Sequence, residues 1–289
     1  MRHLPGEEAI GGALLEQLQS WVERELGVTI PEAREAKRDV TVTAIVPSHR
    51  RSPIGRLSLA DQTQAVHLLA LQNGPVEIEA NEVMKCEWRG HGATRQGAIP
   101  LVKSDYTLLT VDDALPIGRG CVAELIHALE EGDDEGPWDA VYARQLPWPS
   151  SDPITRTNLE RWTPPGKTPT RAKQVDNVFA LYRTETLRRH PLPDVPTGED
   201  LHWSRGRRVA YVPTALVMHA HRRRPIELFE RTRSIHREHV RLGDPPLVPS
   251  TLALLRALPG VIRPTLKGGP RELPNQIAEL LGQWAARRG

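Results

Sequence analysis

Tyr106-Thr-Leu-Leu-Thr-Val-Asp-Asp-Ala-Leu-Pro116 joins an apolar, β-branched run to two adjacent carboxylates and a proline. A short run that is apolar on both faces reads as a buried strand of a parallel sheet. In an open α/β sheet, ligands bind beyond the carboxyl ends of the strands. Two acids at such an end can hold a divalent cation, and the cation can hold a diphosphate. Adjacent aspartates after a strand also read as a turn and the N-cap of a following helix.

Upstream, residues 7–26 place Ile10, Leu14, Leu18, Trp21 and Val22 at helical spacing, and residues 29–38 read as a linker. Residues 40–46 form an apolar strand closed by Pro47-Ser-His-Arg-Arg51. A helix over 54–65 follows, then a strand over 66–71 ended by the turn signal Gln72-Asn-Gly-Pro75. Residues 92–103 read as a helix leading into the central strand. Downstream come a helix over 120–131 and a strand over 139–143. This alternation predicts right-handed βαβ units and a mostly parallel sheet flanked by helices.

Residues 147–170 break the rhythm. They are rich in Pro, Ser and Thr and read as a long loop outside the core, of the kind that forms lids. Strands are expected again at 178–182 and 208–213. Beyond His221 the chain reads as helical over 226–242 and 276–286, separated by Pro-Gly and Gly-Gly-Pro punctuation between 258 and 270. The expected division is a helical extension over 1–39, an α/β domain over 40–221 and a helical region over 222–289.

Composition narrows the functional classes. At 289 residues, 39% hydrophobic and 26% charged, the chain is expected to fold as a soluble globule. A formal charge of +2 is too small for a nucleic-acid module, and basic and aromatic residues do not interleave. Cys86 and Cys121 are the only cysteines, too few for a disulfide framework or a cysteine zinc site. No apolar run reaches the roughly 20 residues of a membrane span. Residues 1–8 lack the order of a secretory signal, so the expected location is cytoplasmic, with the inner face of the cell membrane as a further option. The arginines from 222 to 241 interleave with Glu227, Glu230 and Glu238, as on a solvated helix face. Pairing with phosphates and docking on an anionic membrane surface are the other readings of that run.

Four polar constellations stand at the ends of expected strands: Pro47-Ser-His-Arg-Arg51, Asp112-Asp113, Thr197-Gly-Glu-Asp200 and Val217-Met-His-Ala-His221. Taken singly, each has a bland reading: Gly198-Glu-Asp200 as helix capping, Trp203 as core, Arg95 as a solvated charge. His219 and His221 alternate on a strand-like segment, one toward the core and the other toward solvent.

Taken in order, from about residue 40 to 242, they resemble the inverting glycosyltransferases of family 2, which have the GT-A fold. The family's strand-end Pro-Thr-Tyr-Asn-Arg, Asp-Asn-Gly-Ser and Ala-Arg-Asn correspond to Pro47-Ser-His-Arg-Arg51, Gln72-Asn-Gly-Pro75 and Thr94-Arg95-Gln96. Tyr142-Ala-Arg-Gln-Leu-Pro147 and Gly198-Glu-Asp-Leu-His-Trp203 look most like its rhamnosyltransferase-like branch.

The resemblance implies transfer of a hexose from a nucleotide-diphosphate sugar to an acceptor hydroxyl by a single, metal-assisted displacement. It implies Asp200 as the base with Glu199 as its helper, and Asp113 and His219 as ligands of Mg²⁺ or Mn²⁺. Pro47, His49, Arg50, Gln72, Arg95, Asp112 and Asp113 would line the donor site, with Trp203 and Arg144 on the acceptor side. The implied acceptor is a glycan, a lipid-linked molecule or a small molecule; a homodimer and a peripheral membrane contact are the further partners expected. Two departures stand out. Gln72 replaces the family's base-pairing aspartate, and Val111 replaces the first acid of its Asp-x-Asp motif. They motivate a second reading, a nucleotide-sugar-binding protein of the same fold with little transferase activity.

Overall fold

A computed structural model describes residues 12–49, 51–221 and 223–288. Along the chain, α1 (Gly12–Leu26) precedes β1 (Val42–Ser48), α2 (Arg56–Ala60), β2 (Val66–Gln72) and β3 (Glu82–Lys85). Next come α3 (His91–Ala98), β4 (Tyr106–Thr110), β5 (Leu115–Ile117), α4 (Cys121–Glu131) and β6 (Ala140–Leu146). They are followed by α5 (Pro153–Trp162), β7 (Thr170–Ala172), β8 (Phe179–Arg183), α6 (Thr184–Arg189), α7 (Glu199–Ser204) and β9 (Val209–Met218). The chain continues through α8 (Pro225–Arg241), α9 (Thr251–Gly268) and α10 (Leu273–Ala285). Two compact units emerge: residues up to Pro149 with Leu159–His219, and Ser150–Asn158 with Ala220–Gly289.

The first unit holds a mixed sheet in the order β3-β2-β1-β4-β8-β6-β9-β5, with β7 also paired to β9. β1, β2, β3 and β4 are mutually parallel, as the alternation predicts. β8 then runs antiparallel to both β4 and β6, and β6 runs parallel to β9. The directions multiply out: β6 and β9 point the same way as β4, and β8 alone is reversed among them. The carboxyl ends of β1, β2, β4, β6 and β9 therefore share one edge. The reversed strand brings the loop that enters it, Asp176-Asn177-Val178, to that same edge.

β4 shows why the run at 106–110 is apolar throughout. Tyr106 and Leu108 pack into one core layer, with α4 residues Val122, Leu125, Ile126 and Leu129. Leu109 packs into the other, with Ala98, Leu187 and Trp203. A strand covered on both faces has no solvent side to mark with polar residues.

The 147–170 segment differs from the expected lid loop. Asp152 accepts the Thr155 N–H at 2.9 Å and its hydroxyl at 2.7 Å, and Pro153 takes the first helical position, so α5 forms. Trp148 and Thr163, on either side of this helix, are buried.

In the second unit, α9 runs through Pro259-Gly260 without the break expected there. A proline inside a helix costs one hydrogen bond, about 3 kcal/mol. That cost is offset by packing of Leu254, Ala257, Leu258 and Val261 against Val248, Leu280 and Trp284. On α8, Arg224, Arg233 and Arg241 pair with Glu227, Glu230 and Glu238 at 2.6–2.7 Å; the first two pairs are solvated, whereas Glu238 is buried. None of the described helices is long and apolar enough to cross a membrane.

Gly282 of α10 lies against α8 so closely that an added Cβ would sit 2.8 Å from both Phe229 O and Thr232 Cβ. Gly282→Leu is expected to cost about 1–3 kcal/mol by overpacking and to lower the thermal midpoint measured by circular dichroism. An unchanged melt would rule out that close helix contact.

Candidate functional site

Two groups of polar side chains meet at the shared strand edge. The first is the metal-type cluster. Asp113 follows β4 in a turn, while β5 pairs back onto β9 with Leu115 opposite Met218. This hairpin-like return brings Asp113 beside His219, the residue after β9. His219 Nε2 lies 3.5 Å from Asp113 Oδ1, and both side chains are largely buried. The Arg51 guanidinium stands 3.7 Å from the other Asp113 oxygen. His221, two residues further along and exposed, also offers a ring nitrogen; the three ligand atoms lie within 4.8 Å of one another. One carboxylate and two imidazoles form a donor set that suits a first-row divalent ion better than Mg²⁺. One histidine was expected to face the core and the other solvent; His219 is the buried one and His221 the exposed one.

Asp112 is partly buried, and its backbone carbonyl accepts the Ile54 N–H at 2.9 Å. Loss of solvent, and then the Asp113 charge, push its carboxyl up to about 6.

The second group surrounds α7. Glu199 and Asp200 open this helix behind Gly198, whose φ of 74° is in the left-handed region that glycine tolerates. Glu199 is buried and takes the Arg95 Nη1 at 3.0 Å. Asn177 Nδ2 donates to the same Glu199 oxygen at 3.3 Å. Arg95 Nη2 donates to the carbonyls of Thr110 at 3.1 Å and Asn177 at 3.2 Å. Arg95 is 1% exposed. Its expected place beside donor base or phosphates is corrected accordingly: the guanidinium is committed inside the sheet unit, where it ties the α7 turn to the end of β4.

Asp200 keeps some contact with solvent. Desolvation, then the charges of Glu199 and Asp176, push its carboxyl up to about 7.

Trp203 also departs from expectation. It is 3% exposed, donates its indole N–H to His190 O at 2.8 Å and meets Tyr182 edge-on at 4.8 Å. It is a core side chain, not an open wall for a sugar. Arg144, half-buried on β6, has its pKa lowered by desolvation.

The end of β2 borders a cleft of about 590 Å³ lined by Gln72, Asn73, Gly74, Pro75, Lys85, Cys86 and Glu87. Gln72 Nε2 donates to Gly74 O at 3.1 Å, and His49 Nδ1 lies 3.0 Å from Asn73 O. Pro47 is buried in β1, His49 is exposed, and Arg50 lies outside the described residues. Sequence reasoning missed Asp176 and Asn177, which belong to no motif, and gave no role to Gln145, although it lies in the quoted run 142–147. His221 was discernible only as the second histidine of a His-x-His pair.

Arg95→Met would leave Glu199 buried without its cation, costing about 3–5 kcal/mol in urea denaturation. Adding Glu199→Met should recover most of that loss. A double variant no more stable than Arg95→Met alone would show that the two residues are not coupled.

No protein-family model and no curated protein matches this sequence. Among solved structures, a mannosyltransferase from Pyrobaculum calidifontis in complex with GDP-Man and Mn²⁺ aligns with a TM-score of 0.59 at 15% identity. The alignment covers 94% of this chain and 93% of that one. GalNAc-T7 with UDP, GalNAc and Mn²⁺ aligns with a TM-score of 0.50 at 10% identity, covering 97% of this chain and 66% of the other. The mixed sheet flanked by helices is thus a GT-A-like fold, shared with these glycosyltransferases.

Proposed function

We propose that this chain is an inverting glycosyltransferase that moves a sugar from a nucleoside-diphosphate donor to an acceptor hydroxyl, with Asp200 as base. The observation that carries this reading is the meeting, at one strand edge, of a cation-type cluster with a carboxyl poised near neutrality. The order of the motifs supports family 2, nearest its rhamnosyltransferase-like branch. The bound ligands of the two similar structures, each a nucleotide with Mn²⁺, support the donor class.

In this reading the cleft beside Gln72 takes the nucleotide base, and His49 and Arg51 lie toward the phosphates. Asp113 and His219, with His221, would hold Mn²⁺, which supplies charge neutralisation for the departing diphosphate. Asp200 accepts the proton of the acceptor hydroxyl as its oxygen bonds to the anomeric carbon and the bond from that carbon to the diphosphate oxygen breaks. Attack from the face opposite the leaving group inverts the centre and requires no enzyme nucleophile. Glu199, bound by Arg95, supports Asp200 by its charge. Arg144, residues 147–170 and the helices after 221 are assigned to acceptor selection. A cytoplasmic location is proposed, with the inner face of the cell membrane as the alternative.

A base works only when ionised, so kcat/KM should rise with pH through about 7. Asp200→Asn should lower kcat by about 10²–10⁴-fold. Equal rates for wild type and variant would sink the proposed base, and a product of retained configuration by NMR would sink inversion. Stability gives an independent reading. The folded state raises this carboxyl from 3.8 to about 7, so it holds its proton more tightly than the unfolded chain. Stability should therefore fall as pH rises across that window, and Asp200→Asn should gain stability over wild type at pH above 7 but not at acid pH. Separately, calorimetric titration with nucleoside diphosphates should show affinity that drops when Mn²⁺ is chelated; chelation without effect would reject the metal role.

A further inference from the structure

Gln145 is 8% exposed near the end of β6, opposite Val217 of β9. Its amide spans two groups. Nε2 donates to Asp176 Oδ2 at 2.6 Å, and Oε1 lies 3.0 Å from His219 Nδ1. An ionised carboxylate can only accept, so the amide nitrogen faces Asp176 and the amide oxygen faces the histidine. An oxygen acceptor there requires the hydrogen on Nδ1. In the neutral ring, the Nε2 lone pair then looks out on the opposite side, where Asp113 Oδ1 stands 3.5 Å away. Two electron-pair donors so placed suit a cation held between them.

The other end of Gln145 is equally constrained. Asp176 Oδ1 accepts the Val178 N–H at 3.0 Å, which holds the carboxylate at the entry to β8. From there its charge acts on Asp200. The backbone of His219 is fixed separately, its N–H donating to Leu146 O at 3.0 Å. Only the ring orientation is left for Gln145 to set. A glutamate at this position could not donate to Asp176 and would repel it.

We propose that Gln145 is a positioning residue that holds His219 as the Nδ1–H tautomer, presents Nε2 to a divalent cation shared with Asp113, and anchors this ligand to Asp176. It rests on the reading of Asp113 and His219 as cation ligands given above.

The first test needs neither metal nor turnover. Long-range ¹H–¹⁵N spectra of the metal-free, ¹⁵N-histidine-labelled chain, assigned by comparison with His219→Gln, should show His219 as the Nδ1–H tautomer. An Nε2–H tautomer in the wild type overturns the positioning role even if Mn²⁺ binds. The second test titrates Mn²⁺ alone into wild type, Gln145→Met and Gln145→Leu, neither of which offers an acceptor to His219 Nδ1. Both variants are expected to lose the fixed tautomer and to weaken Mn²⁺ binding by about 10–100-fold. Gln145→Leu serves if Gln145→Met does not fold. Unchanged affinity in a folded variant overturns the proposal. Absence of Mn²⁺ binding to the wild type overturns the cation reading of the site and the proposal's metal half with it, while the tautomer result still judges the contact itself.

Discussion

The buried guanidinium of Arg95 is the constraint on which the candidate site depends. Three of its contacts reach three different elements: the end of β4 through Thr110 O, the entry to β8 through Asn177 O and the start of α7 through Glu199. A planar donor fork with fixed angles can satisfy such a set only if the three elements hold one mutual geometry. Burying a full charge is costly unless it is paired and hydrogen-bonded, so the packing cannot drift without exposing that cost. The two carboxylates after β4 and the two that open α7 are thereby held in one frame. Arg95 Nε, which has no protein hydrogen-bond partner, is a residual expense of the arrangement.

Electrostatics then follows from placement. Asp112 and Asp200 each sit beside a second acid at the edge of a dry sheet, and both are pushed up toward neutrality, to about 6 and about 7. For Asp112 the environment is completed by Arg51 and by the cluster with His219, groups suited to negative charge and to a cation. For Asp200 it is completed by acids, with Arg95 already engaged by Glu199. Similar carboxyls thus differ in their surroundings: one borders cationic and imidazole groups, the other borders acids.

Much of this was legible in the chain. The run at 106–110 announces a strand covered on both faces, and Asp112-Asp113, Gly198-Glu-Asp200 and His219 stand at the strand ends where chemistry is expected. The direction of β8 was not legible, because a short strand buried on both faces has the same composition whether its neighbours run with it or against it. Burial of Arg95 was hidden for a related reason. A lone arginine on a short helix looks solvated until the acid that pairs with it, 104 residues away, is known to be adjacent. Gln145 lies in the quoted run 142–147 with nothing to single it out, since its contacts with Asp176 and His219 arise only on folding. In α9, proline and glycine suggested a stop, but helix packing outweighed local propensity. Trp203 shows the reverse case, where the bland reading of a core aromatic was correct.

The reversed strand divides the labour between the two ends of the sheet. At the end opposite the site, Asp105 binds the Thr41 backbone and hydroxyl, both at 2.8 Å, and Asp139 accepts the Arg208 N–H at 2.9 Å. These pairs close the starts of β1, β4, β6 and β9 with local bonds that involve none of the candidate site's side chains. Loop length at that end is therefore decoupled from chemistry. The turn from Asp133 to Gly136, closed by its own backbone pair and bound by the Arg208 guanidinium, lies at this end, away from the candidate site. The opposite rim has no such freedom, because inserting even one residue before β8 would shift Asp176 and Asn177 together and change both halves of the site at once.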